Sequence, residues 1–150
     1  MGIAQALLNE PEILILDEPT SGLDPGERVR FLNLLSEVAH NRIVLISTHI
    51  VPDVEYIASQ NAVMKDGRIL ASGTTDELVG IMDGKVWNVQ MPAYDVHRAE
   101  QKARIVNLRN DNSDYVSVRY LSDQPVFQDS VQAQPRLEDL YLWLFPQEET

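Results

Sequence analysis

The sequence predicts an α/β protein with a parallel sheet, followed by a smaller α+β region. Two short apolar runs, ILIL at 13–16 and RIVLIS at 42–47, are separated by a stretch with helical spacing of apolar residues. After Gly84 the pattern changes to alternating strands and a closing apolar helix. We therefore expect one domain over residues 1–82 and an accessory α+β region over residues 83–150.

Composition limits the classes of protein to which the chain can belong. Of its 150 residues, 44% are hydrophobic, which is typical of a folded domain. It contains no cysteine, so disulfides are excluded, and no apolar run approaches the roughly 20 residues that cross a bilayer. The N-terminus lacks a basic-then-apolar signal pattern, so we expect no export. A net charge of -11 argues against binding a nucleic-acid backbone.

The predicted elements of the first domain follow in order. Residues 2–9 are expected to end a helix, since Pro11 follows closely. The unbroken apolar runs at 13–16 and 42–47 predict strands buried on both faces. Between them, Pro25 opens a helix whose apolar positions are Val29, Leu32, Leu35 and Val38-Ala39.

Shorter elements complete the prediction. A short helix is expected through about Ala58, followed by a hairpin over 62–71 with Asp66-Gly67 at its turn. Thr74 or Thr75 caps the next helix. Beyond residue 84, we expect these elements: a half-exposed strand over 85–91, a polar helix over 97–104, strands over 105–108 and 115–120, and an apolar helix over 137–145.

Three polar side chains follow the two predicted parallel strands. Asp17 and Glu18 end the first strand, and His49 follows the second. Ligands of α/β sheets bind beyond the carboxyl ends of the strands, so these groups are expected to converge on one crevice. In isolation, an Asp-Glu pair in such a place is usually a solvated turn, and a lone histidine is usually structural.

The motif around these residues resembles a known family. ILILDEPTSGLDP at 13–25 is similar to the Walker B and D-loop segment of ATP-binding cassette (ABC) ATPases, and Ser-Thr-His at 47–49 resembles their switch histidine. GIAQALL at 2–8 resembles the helix after their signature sequence. PRLEDLY at 135–141 resembles the closing segment of the drug-exporting members.

The resemblance implies roles for five residues. Asp17 would hold Mg²⁺, mostly through water, because this hard cation on phosphate takes one or two carboxylates. Glu18 would be the general base for the attacking water, and His49 would contact the γ-phosphate of ATP and hold Glu18 in register. Asp17, Ser21 and Asp24 are expected at the nucleotide, the last two from a loop that reaches across a dimer interface. Ser21 is also explained as a helix-capping residue.

Two phosphate-binding motifs of that family do not occur in the chain. Neither G-x-x-x-x-G-K-[ST] nor the Leu-Ser-Gly-Gly signature is found. The sequence thus resembles the C-terminal part of a P-loop NTPase-type domain, lacking the phosphate-loop strand. We expect residues 1–150 alone neither to hydrolyse ATP nor to bind it tightly, and the strand at 42–47 to present an unpaired apolar edge.

The leading functional hypothesis is an ATPase subunit, or part of one, that powers an ABC-type exporter. It implies ATP and Mg²⁺ as cofactors, a homo- or heterodimer of ATPase subunits, an integral membrane permease, and a place on the cytoplasmic face of the membrane. The alternative is a catalytically incomplete module that binds a full-length ATPase or permease. A relative acting in DNA repair or translation fits the acidic charge less well.

Overall fold

The computed structural model describes residues 2–146, with side chains from residue 4 onward. The chain forms two compact units, divided between Ala58 and Ser59. The domain division at 82/83 stays a prediction. Within the described residues, none of the helices is both long and apolar enough to cross a membrane.

The first unit is a parallel pair of strands with helices. Its elements are α1 (Gly2–Leu7), β1 (Ile13–Asp17), α2 (Pro25–Val38), β2 (Ile43–Ser47) and α3 (Val51–Ile57). The strands β1 and β2 pair in parallel, in a register that runs from Ile13 opposite Ile43 to Asp17 opposite Ser47. The molecule is thus mixed α/β, as the sequence predicts.

One face of this strand pair forms the core of the unit. Leu14 and Leu16 of β1 pack with Leu35 of α2, and the half-buried side chains around them come from β2 and from the three helices α1, α2 and α3: Leu7, Phe31, Val38, Val44, Ile46 and Ile57. Burial of these side chains stabilises the unit by the hydrophobic effect.

The opposite face of the same strands is exposed, so the prediction of burial on both faces is wrong. Relative exposures are 57% for Ile13, 71% for Ile15, 65% for Ile43 and 58% for Leu45. Side chains alternate between the two faces of a strand, and the described helices pack on only one of them. An apolar run therefore appears in the sequence although half of its side chains face outward.

Helix α2 begins where capping chemistry places it. Asp24 is the N-cap, its Oδ1 accepts from the backbone N–H of Glu27 at 2.8 Å, and Pro25 occupies the first helical position. Leu32 and Leu35 are buried as predicted. Val29 is 57% exposed, so it does not belong to the buried stripe that the sequence suggested.

Up to residue 146, the second unit contains a hairpin, a sheet and three α-helices. Its elements are β3 (Asn61–Lys65), β4 (Arg68–Gly73), α4 (Thr75–Gly80), β5 (Val86–Pro92), α5 (Val96–Glu100), β6 (Arg104–Asn110), β7 (Tyr115–Leu121), β8 (Val131–Gln132) and α6 (Leu137–Leu144). The hairpin turns at Asp66-Gly67, as predicted. Thr74 caps α4, its hydroxyl accepting from the backbone N–H of Glu77.

An antiparallel sheet of order β6-β7-β5-β8 organises this unit. Its core consists of alternating side chains on one face, packed against Ala99 of α5: Val89, Met91, Val116, Val118 and Tyr120. No strand was predicted at β8, which is only two residues long. It pairs with β5 through Trp87 and Asn88.

The predicted polar helix over 97–104 is too long. Helix α5 ends at Glu100, and Arg104 begins β6 instead. The Arg104 guanidinium donates to the carbonyl of Phe145 at 2.5 Å, at the C-terminus of α6, where the helix dipole favours a cation. Partial burial lowers the pKa of Arg104. Arg104 therefore connects β6 to the end of α6, although the sequence predicted that it would be part of a polar helix.

Candidate active site

The carboxyl ends of β1 and β2 bring together the polar residues that the sequence singles out. Asp17 is the last residue of β1, and its register partner Ser47 is the last residue of β2. Glu18 follows Asp17 directly, and His49 lies two positions after Ser47. Parallel pairing in this register places the two chain segments side by side at one edge of the sheet.

The backbone of Glu18 is unusual. Its φ is +45°, in the left-handed region that residues other than glycine rarely adopt. Such a conformation costs on the order of 1–3 kcal/mol and persists only where surrounding contacts hold it. Here the backbone N–H of Glu18 donates to the carbonyl of Ser47 at 2.8 Å, and the Glu18 carbonyl accepts from the N–H of Ser21 at 3.1 Å. The turn thus redirects the chain at the glutamate itself.

The Glu18 carboxylate is held by the segment that follows β2. One oxygen, Oε1, lies 2.8 Å from His49 Nδ1 and accepts from the His49 backbone N–H at 3.0 Å. The other, Oε2, accepts from Thr48 Oγ1 at 3.3 Å. The Glu18 side chain is 34% exposed and that of His49 is 73% exposed, so the pair is accessible from solvent.

This environment favours the ionised glutamate. The hydrogen bond with the His49 ring has the largest effect and lowers the pKa of Glu18. Desolvation comes second and raises it, while the backbone N–H of His49, the charge of its ring and the Thr48 hydroxyl lower it further, so that the pKa lies below its ordinary value. At neutral pH the side chain is therefore a carboxylate, which can accept a proton or orient a water molecule.

Asp17 lies beside this pair with a different partner. Its Oδ1 accepts a hydrogen bond from the Ser47 hydroxyl, and the residue is exposed. Carboxylate oxygens are the ligands that Mg²⁺ prefers. Among residues 2–146, no group of three or more His, Cys, Asp or Glu side chains is arranged to hold a metal ion. A role of Asp17 in binding Mg²⁺ stays a prediction.

Ser21 and Asp24 lie in the turn that leads from Glu18 to α2. Ser21 is exposed and bonds through its backbone N–H to Glu18. Asp24 is exposed and caps α2 with its side chain. The structure thus gives Asp24 a local structural role, and contact of either residue with a nucleotide stays a prediction.

Two neighbours of the site were not assigned from the sequence. Ser47 and Thr48 each donate a hydroxyl hydrogen bond to one of the two carboxylates. They could have been predicted from the sequence, because they directly precede His49 and Ser47 ends the strand. Thr48 Oγ1 also accepts from the N–H of Ile50 at 3.0 Å, which fixes the chain after His49.

Comparison with known proteins supports the family resemblance. No family model matches the chain. Over 78 residues, 52% of this chain, it is 45% identical to the uncharacterized ABC transporter ATP-binding protein YxlF of Bacillus subtilis. Over 78 residues, 51% of the chain, it is 38% identical to the Nod factor export ATP-binding protein I of Burkholderia orbicola.

A human relative shows the same similarity. The chain is 37% identical over 70 residues, 47% of its length, to ATP-binding cassette sub-family A member 9, of which the match covers 4%. The matches to YxlF and to the Nod factor export protein each cover 26% of the relative. This chain therefore spans about a quarter of the length of those two relatives. Over about half of its own length, the chain is a relative of the ATP-binding proteins of ABC transporters.

Proposed function

We propose that the chain supplies the part of an ABC-type ATPase that handles Mg²⁺ and the attacking water. The observation that carries this proposal is the Glu18 carboxylate, held 2.8 Å from His49 Nδ1 at the carboxyl end of a parallel strand pair. An accessible, ionised carboxylate with a fixed orientation suits a group that accepts a hydrogen bond from the attacking water and positions it, which is the larger part of catalysis in phosphoryl transfer.

The proposed roles follow from the contacts of each residue. Glu18 orients the water and accepts its proton, while His49 and Thr48 fix the direction of the carboxylate. In phosphoryl transfer, positioning and charge neutralisation supply most of the catalysis. His49, 73% exposed, also has room to contact the terminal phosphate of a bound nucleotide.

Asp17 fits the cation that accompanies ATP. It is exposed, lies next to Glu18, and receives a hydroxyl hydrogen bond from Ser47 that orients its carboxylate. Bound Mg²⁺ would neutralise phosphate charge, and Asp17 would hold it mostly through water, since Mg²⁺ keeps several waters when carboxylates are few. Ser21 and Asp24, on the exposed turn after Glu18, are the residues proposed to approach the nucleotide across a dimer interface.

The biological role proposed is to power export through a membrane partner. The names of several relatives include Nod factor export. By this similarity, the working assembly is a homo- or heterodimer of ATPase subunits on the cytoplasmic side of an integral membrane permease. ATP and Mg²⁺ are its cofactors, and the chain is expected to need a phosphate-loop segment to complete the site.

Complementation tests this function. The chain, a phosphate-loop and signature segment from a related ABC ATPase, and the two together would be assayed for ATP hydrolysis with Mg²⁺ and with EDTA. We expect Mg²⁺-dependent turnover only when both parts are present, joined in one polypeptide if they do not associate. A folded, ATP-binding combination without turnover would contradict the proposal and favour a non-catalytic interaction module.

The His49 side chain provides a separate prediction in the completed enzyme. We expect His49→Ala to lower kcat by about 10²-fold or more, in the range typical of general acid–base groups, with a smaller effect on ATP affinity. His40→Ala, at an exposed residue in the same unit, is the control. A His49→Ala enzyme that kept full turnover would remove His49 from the mechanism.

A further inference from the structure

A buried carboxylate lies close behind the proposed site. Asp53, in the first turn of α3, is only 4% exposed. Burying a carboxylate is costly unless charged or hydrogen-bonding partners compensate for the lost water. A residue of this kind therefore marks a place where the structure depends on a specific set of contacts.

Two side chains from different segments donate hydrogen bonds to the Asp53 carboxylate. Thr20 Oγ1 donates to Oδ2 at 2.6 Å, and Arg28 Nε donates to Oδ1 at 2.5 Å. A second guanidinium nitrogen of Arg28 also lies within ion-pair distance of Oδ1. Thr20 is itself buried, with 3% of its surface exposed, so its hydroxyl has little access to solvent. Both carboxylate oxygens thus have a donor.

These contacts join the two segments that carry the proposed catalytic pair. Thr20 comes two residues after Glu18, and Asp53 comes four residues after His49. On the strand side, the N–H of Glu18 donates to the carbonyl of Ser47 at 2.8 Å. The Thr20–Asp53 hydrogen bond is a second connection between the segment after Glu18 and the segment after His49. Arg28, in the first turns of α2, bonds to the same carboxylate.

We propose that Asp53 is a positioning residue of the proposed active site, which holds the turn after Glu18 against the start of α3 so that the Glu18 carboxylate meets His49. Glu18 has a left-handed backbone that surrounding contacts must maintain, and Thr20 is the nearest buried side chain after it. Loss of the Asp53 contacts frees this turn to move away from His49.

The role of Asp53 in catalysis rests on the proposed function. Its effect on the position of Glu18 relative to His49 can be tested without ATP hydrolysis. Glu18 Oε1 lies 2.8 Å from His49 Nδ1, so the distance between the two side chains reports whether the pair is assembled. It is measurable in the full 150-residue chain as the nuclear Overhauser effect between the Glu18 side-chain CH₂ protons and the His49 ring protons. Urea unfolding of each variant shows whether the chain is still folded, so that loss of the contact between Glu18 and His49 is distinguished from unfolding.

Four variants form the experiment. Asp53→Asn removes the charge, and Thr20→Val removes the hydroxyl while keeping the shape of the side chain. Thr20→Ser keeps the hydroxyl. Asp139→Asn is the matched control, because Asp139 is also a buried aspartate in the first turn of a helix, bonded to an arginine, but lies in the other unit.

We expect the Overhauser effect between Glu18 and His49 to be lost or strongly reduced in Asp53→Asn and Thr20→Val, and to be kept in Thr20→Ser and Asp139→Asn. An unchanged effect in folded Asp53→Asn and Thr20→Val would overturn the proposal. If Asp53→Asn does not fold, the Thr20→Val and Thr20→Ser comparison decides. Loss of the effect as expected, together with an inactive completed enzyme, would support the positioning role and reject the proposed function.

Discussion

At the scale of single residues, the contact between Glu18 and His49 determines the charge of the site. The His49 ring and backbone N–H both bond to one oxygen of Glu18, which stabilises the carboxylate relative to the acid. A base that is already ionised at neutral pH is ready to receive a proton from water.

His49→Ala should therefore raise the pKa of Glu18 toward its ordinary value, because the largest cause of the lowered pKa is lost. The carboxyl ¹³C shift of Glu18 as a function of pH measures this change. His97→Ala is the control, since His97 contacts a different glutamate, Glu100, at 3.5 Å. An equal effect of both substitutions would show that His49 does not set the charge of Glu18.

The same contact predicts how stability depends on pH. The pKa of Glu18 is lower in the folded chain than its ordinary value, so the unfolded chain binds the proton more readily. The contribution of Glu18 to the free energy of unfolding is present above its unfolded pKa and is lost as pH falls through the folded pKa. The difference in unfolding free energy between wild type and His49→Ala should therefore shrink at acidic pH, in urea titrations at several pH values.

Sequence reasoning could identify Asp17 and Glu18 because they end a strand signal within the specific motif at 13–25, and His49 because it follows the next strand signal within Ser-Thr-His at 47–49. It could not identify Asp53. That residue lies in a helix whose acids look like ordinary surface positions, and only the fold shows that it meets Thr20, 33 positions earlier. Long-range contacts between side chains have no local pattern in the sequence.

At the scale of elements, the strand pair β1–β2 has two unlike faces. Parallel strands are normally covered on both faces, and here the described helices cover one. Four exposed aliphatic side chains lie on the other: Ile13, Ile15, Ile43 and Leu45. Apolar runs predict burial, but they cannot show which part of a protein provides the cover.

This asymmetry predicts unequal effects of neighbouring substitutions in β1. Leu14→Ala should destabilise the chain by about 2–5 kcal/mol, because Leu14 is 3% exposed and its removal leaves a cavity. Ile15→Ala, at a residue 71% exposed, should change the free energy of unfolding far less and should reduce the binding of an apolar dye. Urea unfolding and dye fluorescence measure both effects. Equal destabilisation would mean that another part of the protein covers Ile15.

In the second unit, a buried ion pair joins β7 to α6. The Arg119 guanidinium donates to both oxygens of Asp139, at 3.1 and 2.6 Å, and the two side chains are 14% and 5% exposed. The Asp139 carboxylate also accepts from the backbone N–H of Arg136 at 2.8 Å. The first turn of α6 is therefore fixed to the sheet by one carboxylate.

Asp139→Asn should cost about 3 kcal/mol of unfolding free energy, since breaking a buried pair leaves the arginine without its counter-charge. Asp123→Asn is the control. Asp123 is 69% exposed and pairs with Lys85, and loss of an exposed pair should cost at most about 1 kcal/mol. Urea unfolding followed by tryptophan fluorescence measures both variants, and similar costs would contradict the structural difference between the two pairs.

At the scale of the whole molecule, the sequence indicated the class of fold and the succession of most elements. Hairpin turns, helix caps and the alternation of apolar and polar residues along a strand depend on local chemistry. The β3–β4 hairpin and α4 therefore appear where predicted. The order of the sheet β6-β7-β5-β8 depends on pairing between distant segments, and the sequence did not indicate it. The predicted helix over 97–104 extends beyond the end of α5, because polar residues fit the end of a helix and the start of a strand equally well.

The two units also differ in what they contribute to the proposed function. The proposed catalytic residues all lie in the first unit, between Asp17 and His49. In the second unit, Asp111 accepts from Ser117, Gln90 and Arg109 within the sheet, and these hydrogen bonds, that of Ser117 foremost, lower its pKa. Those contacts are internal to the unit. Catalysis is therefore proposed for the first unit alone.

The central claim is that Glu18 is the base of an ATP-hydrolysing site, and Glu18→Gln in the completed enzyme tests it most directly. Steady-state ATP hydrolysis would be compared with that of wild type and of Glu12→Gln, at an exposed glutamate just before β1. We predict that Glu18→Gln lowers turnover by about 10²- to 10⁴-fold while ATP binding and ATP-dependent dimerisation persist, because the amide cannot accept a proton. Glu12→Gln should keep wild-type turnover. A Glu18→Gln enzyme that hydrolyses ATP at the wild-type rate would contradict the account.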